Sequence, residues 1–444
     1  MNPERERQQR VARGIMIAGG LFVLVTAVLG AARPVGLTAG HLAEELGLPD
    51  FFEHDTAEGS AVDPAGPGSG GTGAPPGGSG GPGPVVPVAS PAPPFPQLAQ
   101  VLDFERMVEK RPGRVPVEVH GVYLTGYTAG KTDTVDRMVR ELRGTQFNTF
   151  VIDVKNDAGR ISYRSDVPLA MQVGASTKWI DDPEPLLTKL RAEGIYTIAR
   201  IVVFKDPVLT RKRPDLAIHD LSGNPWHDRT GAGWLNPYSH ETWDYTLALA
   251  QEAAVKGFQE IQFDYVRFPS DGETSQIAYG EPNGGKADTI ADFLKYAHEK
   301  LQPYDVYLSA DIFGLVGTVT DDMGIGQKLE KILGTVDYIS PMVYPSHYGA
   351  RNFGLEDPES RPYETVFASL QDYRRRMTAA DSKTGLRPWL QDFSLRVHYG
   401  QAEVAGQIKA ARDLGVREFI LWNPANVYNL GVFKEGREAN GEAR

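Results

Sequence analysis

The chain has 444 residues, 41% of them hydrophobic, with 46 Lys and Arg against 57 Asp and Glu, a formal net charge of −11. That length exceeds one ordinary domain. The acidic balance argues against nucleic acid, whose phosphates need a basic surface, and against a catalytic domain lying on anionic lipid. The chain has no cysteine, which excludes disulfides, thiolate zinc sites, iron–sulfur clusters, a cysteine nucleophile and a lipidated N-terminal cysteine.

Residues 1–13 form a basic start with Arg5, Arg7, Arg10 and Arg13. From Gly14 to Ala32 no residue is charged, a run close to the roughly 20 residues that cross a hydrocarbon core. The preceding arginines predict a cytoplasmic N-terminus, so 14–32 reads as a transmembrane anchor with the remainder outside the cytoplasm. Gly30-Ala31-Ala32 also offers small residues for signal-peptide cleavage, with secretion as the result. Residues 33–96, rich in Gly, Pro, Ser and Ala from Thr56 onward, bury too little apolar surface to offset their ordering entropy and read as a flexible linker. A lead-in, 97–119, connects it to the main domain, and 436–444 reads as a disordered tail.

From residue 120 to 435 apolar, β-rich runs alternate with helical patterns. The runs are 121–127, 148–157, 196–204, 260–268, 306–314, 337–345, 387–395 and 417–424. Helix-like stretches lie between them, several ending in Gly just before the next run, as C-caps do. Eight such units predict a parallel sheet closed into an α/β (β/α)8 TIM barrel. An open doubly wound sheet is the alternative, weakened by the lack of a Gly-rich phosphate loop after the first run.

The active site of such a barrel lies at the C-terminal ends of its strands. Late in the runs stand Asp153, Lys155, Arg200, Asp264, Arg267, Asp311, Tyr344, His347, Asp392 and Trp422. Alternation puts Gln262 with Asp264, Asp153 with Lys155, and Ser309 with Asp311 on common faces. Glycosidic cleavage uses two carboxyl groups, about 5–5.5 Å apart for retention and about 6.5–9.5 Å for inversion. Neighbouring strands lie roughly 4.8 Å apart, so Asp264 and Asp311 suit such a pair. A salt bridge of Asp264 with Arg200 or Arg267 is the structural reading of the same residue. Trp234 and Trp226, in the long loop 211–238, read as a lid or substrate wall, since sugar rings stack on aromatic faces. Trp389 reads as core. No H-E-x-x-H stands in the chain and no G-x-S-x-G in 120–435, and neither a metal nor another cofactor is expected.

The segments GVYLTGYTAG, FVIDVKNDAGRISYRSDVPLA, IQFDYVRFPSDG and YISPMVYPSHY together resemble a bacterial domain family described as glycoside hydrolases. The resemblance spans 118–432, with FDYVRFP and PMVYPSHY its most specific motifs. It implies a (β/α)8 barrel more distantly similar to α-amylase-type and chitinase-type barrels, and it makes Asp264, Asp311 and Asp392 the counterparts of the amylase acids on strands four, five and seven. The amylase group has Glu on strand five and an Arg before the strand-four Asp, whereas here Asp311 and a following Arg267 stand. The resulting expectation is hydrolysis of a carbohydrate polymer outside the cell or in its envelope. Asp264 would be nucleophile or base, and Asp311 an acid with a raised pKa. Asp153, Lys155, Arg200, Arg267, Tyr344, His347, Asp392, Trp422 and Trp234 would contact substrate. A non-catalytic polysaccharide-binding or scaffolding barrel is the alternative.

Overall fold

The computed structural model describes residue 114 and residues 116–280 and 284–434. The anchor at 14–32, the linker at 33–96, most of the lead-in and the tail at 436–444 lie outside the described residues. Among the described residues no helix is long and apolar enough to cross a membrane.

Eight parallel strands build the domain: β1 (His120–Leu124), β2 (Thr149–Lys155), β3 (Tyr196–Val202), β4 (Glu260–Asp264), β5 (Tyr307–Phe313), β6 (Tyr338–Met342), β7 (Trp389–Gln391) and β8 (Phe419–Trp422). Each pairs with its neighbour in chain order, β8 pairs with β1, and Trp389 of β7 meets Met342 of β6. The sheet therefore closes on itself, with the two-residue strand Gly385–Leu386 also paired to β6. Every expected run overlaps one of these strands, and β1 begins one residue before its run.

Among the helices between strands are α1 (Thr132–Leu142), α2 (Pro183–Ala192), α3 (His240–Lys256), α4 (Lys286–Leu301), α5 (Leu329–Ile332), α6 (Pro362–Ala379) and α7 (Gln401–Asp413). Local chemistry sets their ends. The Asp182 carboxylate accepts from the Glu184 amide, and Pro183 follows with its φ already suited to a first turn. Gly257 ends α3 at φ 118°, a conformation open to a residue without Cβ, and its amide caps carbonyls of the last turn. The stretch 326–334 reads as a longer helix than the single turn of α5 that forms.

Two apolar layers follow from strand alternation. Outward residues such as Phe150, Ile152, Ala199, Ile201, Ile261 and Phe263 pack with the helices. Inward ones such as Tyr123, Val151, Ile198, Trp389 and Ile420 fill the barrel. Its floor is polar and closed. Arg387 pairs with Glu260 at 2.7 Å and with Glu418 at 2.7 Å, while Ser309 and Tyr196 donate to the same Glu260 carboxylate. Such buried charges persist only when every lone pair is engaged. A hollow of about 670 Å³ lies at this N-terminal end, between Glu118, Tyr338, Leu386 and Arg417. In barrels of this kind that end serves stability, and chemistry belongs to the other.

Candidate active site

Strands β2 to β5 each raise one ionisable side chain into the uppermost inward layer: Asp153, Arg200, Asp264 and Asp311. All four are buried, at 2%, 5%, 6% and 1% exposure respectively. Arg200 joins three of these strands. Its Nη1 donates to Asp153 Oδ1 at 2.6 Å, and its Nε and Nη2 donate to Asp264 Oδ2 at 3.0 and 2.5 Å. The expected ion pair of Asp264 with Arg200 therefore exists, and it faces the barrel mouth.

Asp264 is also gripped by its own backbone. The Tyr265 amide turns back and donates to Asp264 Oδ1 at 2.6 Å. Tyr265 adopts φ 50° to do so, a left-handed conformation that costs a residue with Cβ about 1–2 kcal/mol. Strain at this position fixes the carboxylate's direction.

Gln262 registers with Ser309 and Phe263 with Ala310, so Asp264 and Asp311 are the next step up their two neighbouring strands. Asp311 Oδ1 accepts the Trp389 indole N–H at 2.7 Å. Burial pushes the Asp311 carboxyl well above the usual carboxylate range, and the Asp264 charge pushes it further; the Trp389 hydrogen bond and Arg200 oppose the rise. Burial likewise raises Asp153, against the pull of Arg200 and of the Tyr123 hydroxyl, which donates to Asp153 Oδ2 at 2.6 Å. Two neighbouring carboxyl groups in unlike environments can divide acid and base roles between them.

Aromatic rings frame these groups. Tyr123 stacks on Trp422 at 4.1 Å and 25°, and Trp389 meets Trp422 edge-on at 5.6 Å. The Arg200 guanidinium lies 5.2 Å from the Trp422 ring centre. Trp422 is half-buried, which leaves part of its face for a ligand. Tyr344 stands on the opposite side against Phe393 and His347. Burial, then the charges of Asp311 and Asp264, raise its phenol well above the ordinary value. His347 itself is exposed at the rim.

Three expected site residues sit elsewhere. Lys155 does not share a face with Asp153. The β2–β3 register runs Asp153 to Arg200 and then Lys155 to Ile201, so one extra residue bulges and reverses the alternation. Lys155 points outward, fully enclosed, paired with Asp206 at 2.6 Å beneath the Tyr245 ring of α3. Asp392 does not face the other acids either. Trp389 and Gln391 take the inward face of β7, and Asp392 turns out to accept the amide and side chain of Asn429 at 2.8 and 2.5 Å. Trp234 is no substrate wall: it is fully buried and donates to Asp228 at 3.0 Å, while the loop's other tryptophan, Trp226, donates to the Glu273 carbonyl. Both rings form the loop's own core, and its strand His219–Asp220 pairs with Ile277–Ala278.

Arg267 lies past the end of β4 among the rings of Trp234, Tyr265 and Phe313. Sequence reasoning overlooked Tyr123, although it stands two residues after Gly121 on the inward face of β1, and took Trp389 for core alone. Trp389 is core, at 1% exposure, and it is also a hydrogen-bond donor to Asp311. Among the described residues no group of three or more His, Cys, Asp or Glu converges as a metal site requires.

A parallel eight-stranded barrel with acids, an arginine and stacked aromatics at its C-terminal mouth has the architecture of a glycoside hydrolase domain. The chain belongs to the family described as "Putative glycosyl hydrolase domain", whose model matches residues 121–428. It is similar to the structure of a hypothetical protein from Ruminiclostridium thermocellum ATCC 27405, with 36% identity over 46% of this chain and 99% of that one, TM-score 0.41. The glycoside hydrolase domain of PgaB (BpsB) from Bordetella bronchiseptica is 15% identical over 73% of this chain and 98% of that one, TM-score 0.50. The α-galactosidase TtGalA from Thermus thermophilus is 14% identical over 77% of this chain and 65% of that one, TM-score 0.47. The likeness to PgaB bears on the fold alone. No curated protein matches the sequence.

Proposed function

We propose that the barrel hydrolyses glycosidic bonds in a polysaccharide outside the cell or in its envelope. The observation that carries this reading is the pairing of two unlike carboxyl groups on adjacent strands at the mouth. Asp264 is oriented by Arg200 and by the Tyr265 amide, which suits a nucleophile or general base. Asp311 is buried, which raises its carboxyl well above the usual carboxylate range and suits a general acid. Arg200 and Asp153 orient the first carboxylate, and Trp389 orients the second. Tyr123 and Trp422 form the surface on which a sugar ring stacks, with Tyr344 opposite. The 14–32 segment anchors the chain in the membrane with the barrel outside.

The experiment is release of reducing ends by the full chain across a panel of envelope and storage polysaccharides, with acetate and chain length analysed in the products. Reducing ends without acetate support hydrolysis; acetate alone points to deacetylation, and lengthened chains point to transglycosylation. One observation favours a second reading, a barrel that binds polysaccharide without cleaving it: Asp311 is only 1% exposed, so a sugar oxygen must displace its neighbours to reach it. Binding of a polymer with no product from any member of the panel would favour that reading.

A further inference from the structure

Five Lys and Arg side chains are buried among the described residues: Lys155, Arg200, Lys205, Arg267 and Arg387. Four of them have a carboxylate partner. Lys155 has Asp206, Arg200 has Asp153 and Asp264, Lys205 has Asp228, and Arg387 has Glu260 and Glu418. Arg267 is the exception. At 8% exposure it donates one hydrogen bond, from Nη1 to the Phe268 carbonyl at 3.0 Å. Asp264, Asp271 and Asp228 act on its charge from a distance, and none forms an ion pair with it.

Three rings hold this guanidinium instead, with Trp234 at 5.0 Å, Tyr265 at 5.0 Å and Phe313 at 4.8 Å. Such contacts stabilise a buried cation by less than it loses on leaving water. The rings also fix its place. Tyr265 follows Asp264, and Phe313 lies two residues past Asp311, so the guanidinium stands past the ends of β4 and β5, within reach of the Asp264 charge. Lys205, 5.5 Å from the Tyr265 ring, has its charge matched by Asp228, which leaves Arg267 as the unmatched cation of this cluster. No hydrogen bond engages its Nε or Nη2 among the described residues.

From this unpaired, ring-clamped cation we infer that the polysaccharide is acidic, and that Arg267 receives a sugar carboxylate in a subsite next to Asp264 and Asp311. The inference rests on the hydrolase reading for its polymer but not for its test. A planar guanidinium offers two parallel N–H groups that match a carboxylate, and the ligand supplies the counter-charge the fold omits. Neutral hydroxyls would engage the donors and leave the charge unmatched.

The test measures binding by calorimetry, so it is independent of turnover. The full chain is titrated with a galacturonate hexamer, with the same hexamer after its carboxyls are reduced to hydroxymethyl groups, and with a phosphorylated dextran. We expect the acidic hexamer to bind at least tenfold more tightly than the reduced one, about 1.4 kcal/mol. Arg267→Met, which keeps bulk within the rings, should remove that preference, and Arg267→Lys should recover part of it. A galacturonate-specific rise in the melting temperature of the unaltered chain gives the same answer if the variants fold poorly. Equal binding of acidic and reduced hexamers, an undiminished preference in folded Arg267→Met, or tighter binding of the phosphorylated polymer would each overturn the assignment. Hydrolysis of neutral polymers alone would leave the hydrolase reading standing and sink this one.

Discussion

Arg200 donates through two nitrogens to one oxygen of Asp264, at 3.0 and 2.5 Å, and through a third to Asp153 at 2.6 Å. One cation thus holds two buried carboxylates on the strands either side of it. Its own proton is secure: burial opposes the charge, but Asp264 and then Asp153 more than offset that opposition. Replacing it with Met leaves both acids without their counter-charge, a loss of about 3–5 kcal/mol at neutral pH. Without Arg200 the Asp153 carboxyl, already raised by burial, rises further, so the deficit should shrink as pH falls and it takes up a proton. Urea unfolding of Arg200→Met at pH 7 and pH 4.5 checks both the size and the direction.

Asp311 carries a conflict between stability and chemistry. Its folded pKa is raised above the ordinary 3.8, chiefly by burial. The stability it contributes is therefore fully present below about pH 4 and is lost as pH rises toward its folded pKa. Asn does not titrate and still accepts from the Trp389 indole. Asp311→Asn should therefore gain stability relative to the parent as pH rises from 4 to 8, while losing at least about 10²-fold in turnover. Denaturation midpoints at the two pH values, set beside initial rates, test the pair of effects together.

If Asp311 is the acid, kcat/KM falls on the alkaline side as its proton leaves. The Trp389 hydrogen bond opposes the rise of Asp311, so Trp389→Phe should move the alkaline limb to higher pH while keeping the ring in the core. A profile with only an acid limb, or an alkaline limb unmoved by Trp389→Phe, would remove Asp311 from the acid's role.

Trp422 tests the stacking surface. Its ring is paired with Tyr123 at 4.1 Å yet remains half-buried rather than enclosed. Trp422→Ala should weaken ground-state sugar binding by about 1–2 kcal/mol, roughly 5- to 30-fold in KM, with a smaller change in kcat. Steady-state kinetics on a soluble oligosaccharide separates the two constants.

Much of this arrangement can be read from residue order. The runs carrying Asp153, Arg200, Asp264 and Asp311 are β-rich and alternate, so strand position and face follow from a period of two. That period also places Trp389 and Gln391 inward on β7 and turns Asp392 out, which the analogy with amylase acids obscured. Lys155 was beyond such counting, because the bulge beside it depends on pairing with β3 and leaves no mark in the local sequence. Trp234 and Trp226 were illegible for another reason. A loop long enough to hold its own core buries its tryptophans in itself, and only the pairing of His219–Asp220 with Ile277–Ala278 reveals that it does.

The most direct test of the two-carboxylate account is Asp264→Asn assayed for polysaccharide binding and reducing-end release in the same preparation. The Asn side chain keeps the shape and an oxygen acceptor for Arg200. The account predicts binding near the parent's and release reduced by at least about 10³-fold. Release at the parental rate would contradict it and remove Asp264 from the chemistry.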